Sequence, residues 1–181
     1  VKSFQDVIDF WFIEHGPKDW FAFNAEFDAV IVSQFGEIHS QAMAGELFEW
    51  RKQPMGRLAE IIILDQFTRQ IYRKTAKAFS ADAMALVLAQ ELVLGHHDKD
   101  LTLAEKGFAY MPFMHSESIV MHDYALPLFK GISEETFQFA EQHRRLISEF
   151  GRYPYRNATL GRSNTSAEDV YLAEKNSSFG Q

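Results

Sequence analysis

The 181-residue chain contains no cysteine, which excludes a disulfide framework, a thiolate metal site and a cysteine nucleophile. That absence suits a reducing compartment, so a cytoplasmic protein is expected. No apolar run reaches the roughly 18 residues needed to cross a bilayer, and the N-terminus lacks the basic-then-apolar order of a signal peptide, so no membrane partner is expected. The chain opens at Val1 rather than Met, which suggests that a few preceding residues are missing. Also lacking are a glycine-rich phosphate loop, a nucleophile elbow and a dinucleotide fingerprint, so no cofactor is expected. There is no His-Glu-x-x-His and no i, i+4 histidine pair, and no metal site is expected either. The net charge of −7 argues against a nucleic-acid backbone as the main partner.

What is present is apolar and aromatic. The length predicts one domain over residues 1–181, which buries roughly 70% of its extended-chain surface. Of the 17 Phe, several lie early, and Phe4, Phe10, Trp11, Phe12, Trp20, Phe21, Phe23 and Phe27 are expected in the core. The patterning is helical almost throughout. Ser3 is placed to cap a helix ending near Glu14, ahead of Gly16-Pro17, and Asn24 opens a second towards Gly45. Pro54 opens a third whose apolar positions to about Tyr72 cover nearly every side of a helical wheel, the mark of a buried central helix. Ser80 is expected to cap Ala81 to Leu94. Thr102 opens another helix, which Pro112 is expected to interrupt or restart. Ser133 starts a helix that stops at Gly151, and Thr165-Ser166-Ala167-Glu168 forms a capping box. No strand is evident. Seven to nine helices with short turns predict an all-α domain of stacked antiparallel helix pairs.

Three segments carry polar chemistry. Residues 144–162 hold five of the nine arginines, Arg144, Arg145, Arg152, Arg156 and Arg162, opposed locally by Glu149 alone, while every lysine lies outside 131–174. Arginine in place of lysine points to planar, bidentate recognition of carboxylate or phosphate, and to stacking on rings such as Tyr153 and Tyr155. The same arginines would equally cap helices and pair with acidic residues across the domain. Fourteen residues from Gly151 to Asn164 read as a long ordered loop. On the central helix, Asp65, Arg69 and Tyr72 lie within about 60° of one another at 100° per residue, and Asp65, Gln66 and Arg69 need internal partners or a cavity. His115 and Glu117 follow Pro112, and His143 precedes Arg144, as candidate acid/base groups. His115 and His122 would stand about 10 Å apart on a continuous helix, too far to share a metal.

The motifs Leu64-Asp65-Gln66-Phe67 with Arg69 and Tyr72-Arg73, Met111-Pro112-Phe113-Met114-His115-Ser116-Glu117, His143-Arg144, Phe150-Gly151-Arg152-Tyr153-Pro154 with Arg156-Asn157, and Leu160-Gly161-Arg162 together resemble the bacterial domain of unknown function family numbered 924. Phe10-Trp11-Phe12 and Trp20-Phe21 resemble its N-terminal signature. The resemblance spans nearly the whole chain and implies a helical array similar to tetratricopeptide folds, without a repeat that fits that pattern, and no assigned biochemical role. The family pattern has His where this chain has Tyr155 and Pro where it has Thr68, and a tyrosine is no near-neutral base. The residues point to an Arg-lined pocket for a small phosphate- or carboxylate-bearing ligand. Arg69, Arg73, Arg152, Arg156, Asn157, Arg162, Gln66 and Tyr155 are the candidate contacts, and Asp65, His115, Glu117 and His143 the candidate acid/base or hydrolytic groups. The alternative is a helical peptide-binding module in which the arginines hold an acidic segment or a terminal carboxylate.

Overall fold

The computed structural model describes residues 2–174, and side-chain caps mark five of its helix starts. Ser3 accepts the backbone N–H of Asp6 while Asp6 accepts that of Ser3, and the same reciprocal box recurs at Thr102 with Glu105 and at Thr165 with Glu168. Asn24 and Ser133 cap through their side chains alone. Each such cap stabilises its helix by about 1 kcal/mol.

Ten helices follow among the described residues. Helix α1 is Phe4–Asp9 continued by a π turn, Phe10–Glu14. Helix α2 is Pro17–Trp20 and α3 is Ala25–Met43. Helix α4 runs without a break through Pro54–Ile62, a π turn at Ile63–Phe67, and Thr68–Ile71. Then come α5 (Asp82–Leu94), α6 (Leu103–His115), α7 (Ile119–Lys130) and α8 (Glu134–Phe150). The chain ends with α9 (Asn157–Leu160) and α10 (Ser166–Ala173). The count passes the expected seven to nine because α2 and α9 are single turns too short to leave a periodic signature. No strand occurs among these residues, and none of these helices is long and apolar enough to cross a membrane.

Helix α4 is the centre of the domain. Leu58, Ala59, Ile61, Ile62, Ile63, Leu64 and Phe67 are all fully buried, because α1, α3, α5 and α6 pack around them. Consecutive helices α5, α6, α7 and α8 pack each on the next, as short connections between antiparallel neighbours dictate. Trp11 fills the space between α4 and α6, its ring centroid 5.6 Å from Phe67 and 5.4 Å from Phe108. A smaller cluster of Leu146, Ile147 and Tyr153, joined by Phe150, Tyr155 and Tyr171, anchors the C-terminal segment on α8.

Three local expectations are corrected. Ser80 does not cap α5: a 3-10 turn at Ala76–Phe79 precedes it, and the Ser80 hydroxyl donates back to the Lys77 carbonyl at 2.7 Å. Pro112 sits inside an unbroken α6, forgoing one donor without ending the helix. Phe21 and Phe23 are 64% and 67% exposed, not core.

Two glycines give a direct test of this packing. A Cβ on Gly56 of α4 would lie 2.1 Å from the Trp50 carbonyl oxygen, whereas one on Gly107 of α6 would meet nothing within 4 Å. Gly56→Ala is therefore predicted to lower stability by about 1–3 kcal/mol in urea denaturation, since the backbone of the preceding turn must move. Gly107→Ala is predicted to raise it by about 0.5–1 kcal/mol, the helix-propensity gain with no clash. Equal effects at the two positions would contradict the close approach of the Phe48–Lys52 turn to α4.

Candidate functional site

The π turn in α4 holds the chemistry. Such a turn inserts an extra residue into the helical register, and these turns recur at functional sites. Here it contains Asp65 and Gln66, and Thr68 just beyond it bonds inward, its hydroxyl 3.3 Å from the Ile63 carbonyl and 2.9 Å from His39 Nε2. The altered register turns Tyr72 towards His39, whose ring centroid is 5.7 Å away. Gln66 and Arg69 instead share a face, at i and i+3, and Arg73, in the turn just past the helix end, lines the same cleft.

That face is one wall of a cleft of about 170 Å³. His115 and His143 add further polar groups, and Trp20, Phe21, Ala22, Phe23, Met111, Met114 and Phe139 complete the lining. Asp65 lies directly behind His115, with 1% of its side chain exposed and its Oδ1 2.7 Å from His115 Nδ1. Gln66 donates to the other carboxylate oxygen at 2.6 Å. Burial alone would raise the Asp65 carboxyl, but the Arg69 charge and the hydrogen bonds from His115 and Gln66 hold it below the usual carboxylate value. An ionised carboxylate only accepts, so His115 carries its proton on Nδ1 and turns a lone pair at Nε2 away from Asp65. Burial and then the nearby Arg69 charge hold the His115 imidazole below its ordinary value, outweighing Asp65. A neutral imidazole oriented by a buried carboxylate is equipped as a general base.

The two cleft arginines are already partly engaged. Arg69 gives Nη1 and Nη2 to Asp82 at 2.8 and 3.0 Å and Nη1 also to the Asp65 carbonyl at 2.8 Å, while its buried Nε has no acceptor among the described residues. Arg73 gives Nε and Nη2 to Asp28 at 2.6 and 2.9 Å, beneath the ring of Phe23. Bidentate pairing fixes both guanidinium planes. It also sets the Arg69 and Arg73 charges against those of Asp82 and Asp28.

The remaining sequence-predicted residues lie outside the cleft lining. Glu117 takes both terminal nitrogens of Arg162, at 2.7 and 2.9 Å, and the backbone N–H of Tyr153 at 2.8 Å. Those bonds overcome burial and keep its carboxyl below the usual value. Arg162 further donates to Asn157 Oδ1 at 2.8 Å, and Asn157 donates to Asn164 at 2.9 Å. Arg152 forms a bidentate pair with Glu168 at 2.7 and 2.8 Å. The Glu168 carboxyl is lowered to about 2, first by Arg152. Arg156 is buried between the rings of Phe79 and Tyr153, its guanidinium carbon 4.5 and 4.7 Å from their centroids, and reaches Asp82 at 3.4 Å. Tyr155 stacks on Tyr153 at 5.2 Å, and burial pushes its phenol pKa up. The expected 14-residue loop is thus a pinned segment containing a 3-10 turn, Pro154–Arg156, and the one-turn α9. The aromatic and methionine lining was missed in the sequence; a Phe-Ala-Phe run beside the short α2, with no periodicity to bury it, is the signal that marks its rim.

Because α6 ends at His115, His122 on α7 folds back, donating from Nε2 to the Ser116 carbonyl at 2.8 Å. His143 donates from Nδ1 to the Phe139 carbonyl at 2.9 Å. Burial is the first cause holding His39, His115, His122 and His143 below the ordinary imidazole value, and it takes His143 down to about 3. The unfolded chain takes up these protons near pH 6.5, the folded chain only at lower pH. Below pH 6.5 the unfolded state therefore binds more protons, and stability falls as pH falls, by about 1.4 kcal/mol per pH unit for each such histidine. Urea midpoints are predicted to be flat above about pH 7.5 and to drop steeply from pH 6.5 to 5. His143→Gln should shallow that drop, and a flat profile in the parent protein would contradict neutral burial.

The comparisons with known proteins come to this geometry from outside it. Residues 7–176 match the family described as "Bacterial protein of unknown function (DUF924)". A solved structure of a protein of unknown function, ATU0120 from Agrobacterium tumefaciens, is 34% identical and superposes with a TM-score of 0.90, covering 94% of this chain and 97% of that one. No curated protein matches the chain. With the family match spanning α1 to the end of the described helices, this chain belongs to the DUF924 family of bacterial proteins.

Proposed function

We propose that the protein binds a small anionic ligand, carboxylate- or phosphate-bearing, in the cleft between α4 and α6, and performs acid/base or hydrolytic chemistry on it. The observation that carries this reading is the 2.7 Å bond from His115 to the buried Asp65, on a wall shared with Gln66, Arg69 and Arg73. A carboxylate behind a neutral histidine stabilises the imidazolium that forms when the ring takes a proton. The donors left for an anion are Arg73 Nη1 and the edge of Arg69, both held in place by acidic partners.

In a hydrolysis, His115 Nε2 takes a proton from water as the oxygen bonds to the electrophilic carbon or phosphorus. The bond to the leaving group breaks, and the imidazolium returns the proton to that group. Guanidinium N–H donors in a shielded cleft stabilise the charge that builds on the substrate oxygen. The peptide-module alternative relied on the C-terminal arginines, and Arg152 and Arg162 are taken up by Glu168 and Glu117.

A thermal-shift titration with acetate, citrate and inorganic phosphate tests binding. A ligand at 100 times its Kd adds about 2.7 kcal/mol, or about 5–10 °C for a chain of this size. Arg73→Gln and His115→Asn are expected to fold and to lose the shift. Turnover of a p-nitrophenyl ester, where present, is expected to fall about 10²–10⁴-fold in His115→Asn. If no anion moves the transition, or if both variants respond like the parent, the proposal is wrong.

A further inference from the structure

A second depression runs on from the cleft. It has a volume of about 640 Å³ and shares Trp20, Phe21, Met111, Met114 and Phe139 with the polar cleft. Beyond those shared residues it is lined by Leu103, Ala104, Gly107 and Phe108 of α6, by Phe129 and Ile132, and by the N-terminal half of α8. Phe21, Leu103 and Phe139 are exposed along it, forming an apolar surface of the kind that marks a binding groove.

We infer that the ligand is an amphiphile, with a singly charged carboxylate head at Arg73 and His115 and an unbranched apolar tail lying in this groove. This rests on the proposed function and names its substrate class.

Three observations select that occupant. Volume is the first: 640 Å³ lies within the roughly 300–1,000 Å³ of small-molecule sites. Charge is the second. Arg69 and Arg73, the two guanidiniums that line the cleft, are already paired with Asp82 and Asp28, so few of their N–H donors are left, and a small, singly charged head suits them. The third is Gly107, in the interior of α6 at the groove floor. Glycine is, after proline, the residue least favourable to a helix, and no neighbour requires it there, since a Cβ would meet nothing within 4 Å. Its effect is to leave the floor open where a tail would lie. Methionines 111 and 114 at the junction suit tails of varied shape, since an unbranched thioether repacks readily.

The test is isothermal calorimetry of the full chain with straight-chain carboxylates from butyrate to tetradecanoate, each below its critical micelle concentration, with decanol as the uncharged control. The expected result is about a fourfold gain in affinity per methylene until the groove is full, the factor set by burying one CH₂. Decanol is expected to bind more weakly than decanoate, and Arg73→Gln to remove that preference. Gly107→Leu should end the chain-length gain several carbons earlier. Ala104→Leu, an independent block on an exposed position of the same helix, gives the same readout should Gly107→Leu fail to fold.

Carboxylates that bind with an affinity independent of tail length, unchanged by both blocks, would overturn the amphiphile assignment while leaving the anion cleft standing. An acidic peptide that binds where no tailed carboxylate does would also overturn it. Failure of every carboxylate and of phosphate to bind would remove the anion cleft itself.

Discussion

A carboxylate with 1% of its side chain exposed is costly to keep ionised without partners, and Asp65 keeps its charge because three side chains from two helices converge on it. Gln66 donates from the next residue, Arg69 from one turn further along α4, and His115 from the end of α6, fifty residues away. Arg69 in turn requires Asp82 at the start of α5, and Asp82 also receives Arg156 from the C-terminal segment. The result is an alternating chain of charge that joins α4, α5, α6 and the segment after α8. Removing Asp82 or Asp65 takes a charged partner from Arg69, which is more costly than never having built the pair.

The same constraint explains why the chemistry sits where it does. Helix α4 is enclosed by four others and apolar for most of its length, so its polar residues can reach a cavity only where the π turn shifts the register. The cavity is then closed by what is nearby: the short α2 with its trailing aromatics on one side, and the methionines of α6 on the other. A polar end built on a rigid buried helix and an apolar extension walled by exposed rings are thus two parts of one depression.

Much of the fold was legible because its signals are local. Ser3, Asn24, Thr102, Ser133 and Thr165 each mark a helix start through a bond to a backbone group two or three residues on. Gly151 marks the end of α8 with a left-handed backbone, φ 71°, that glycine adopts without strain. Burial of α4 was equally visible in its all-round apolar pattern. The pairing of the arginines was not, since Arg152 finds Glu168 16 residues later and Arg162 finds Glu117 45 residues earlier. From the sequence, a run of arginines opposed locally by Glu149 alone fits an anion-binding wall and cross-domain pairing equally; in the fold, Glu168 and Glu117 pair with Arg152 and Arg162 and brace the C-terminal segment. The π turn was invisible for a related reason. At 100° per residue Tyr72 joins Asp65 and Arg69, and the inserted residue moves it to His39 instead. Composition points to Phe21 and Phe23 as core, but they follow the one-turn α2 and stay exposed at the rim.

The central claim is that Asp65 fixes His115 as a neutral, Nδ1-protonated base facing the cleft. Long-range ¹H–¹⁵N correlation of the histidine ring nitrogens at pH 7, with His115 assigned by comparison with His115→Asn, reads this directly. The account predicts a protonated Nδ1 and an unprotonated Nε2 in the parent, with the Nδ1 preference lost in Asp65→Asn. An imidazolium at pH 7, or an Nε2-protonated ring in the parent protein, would contradict it.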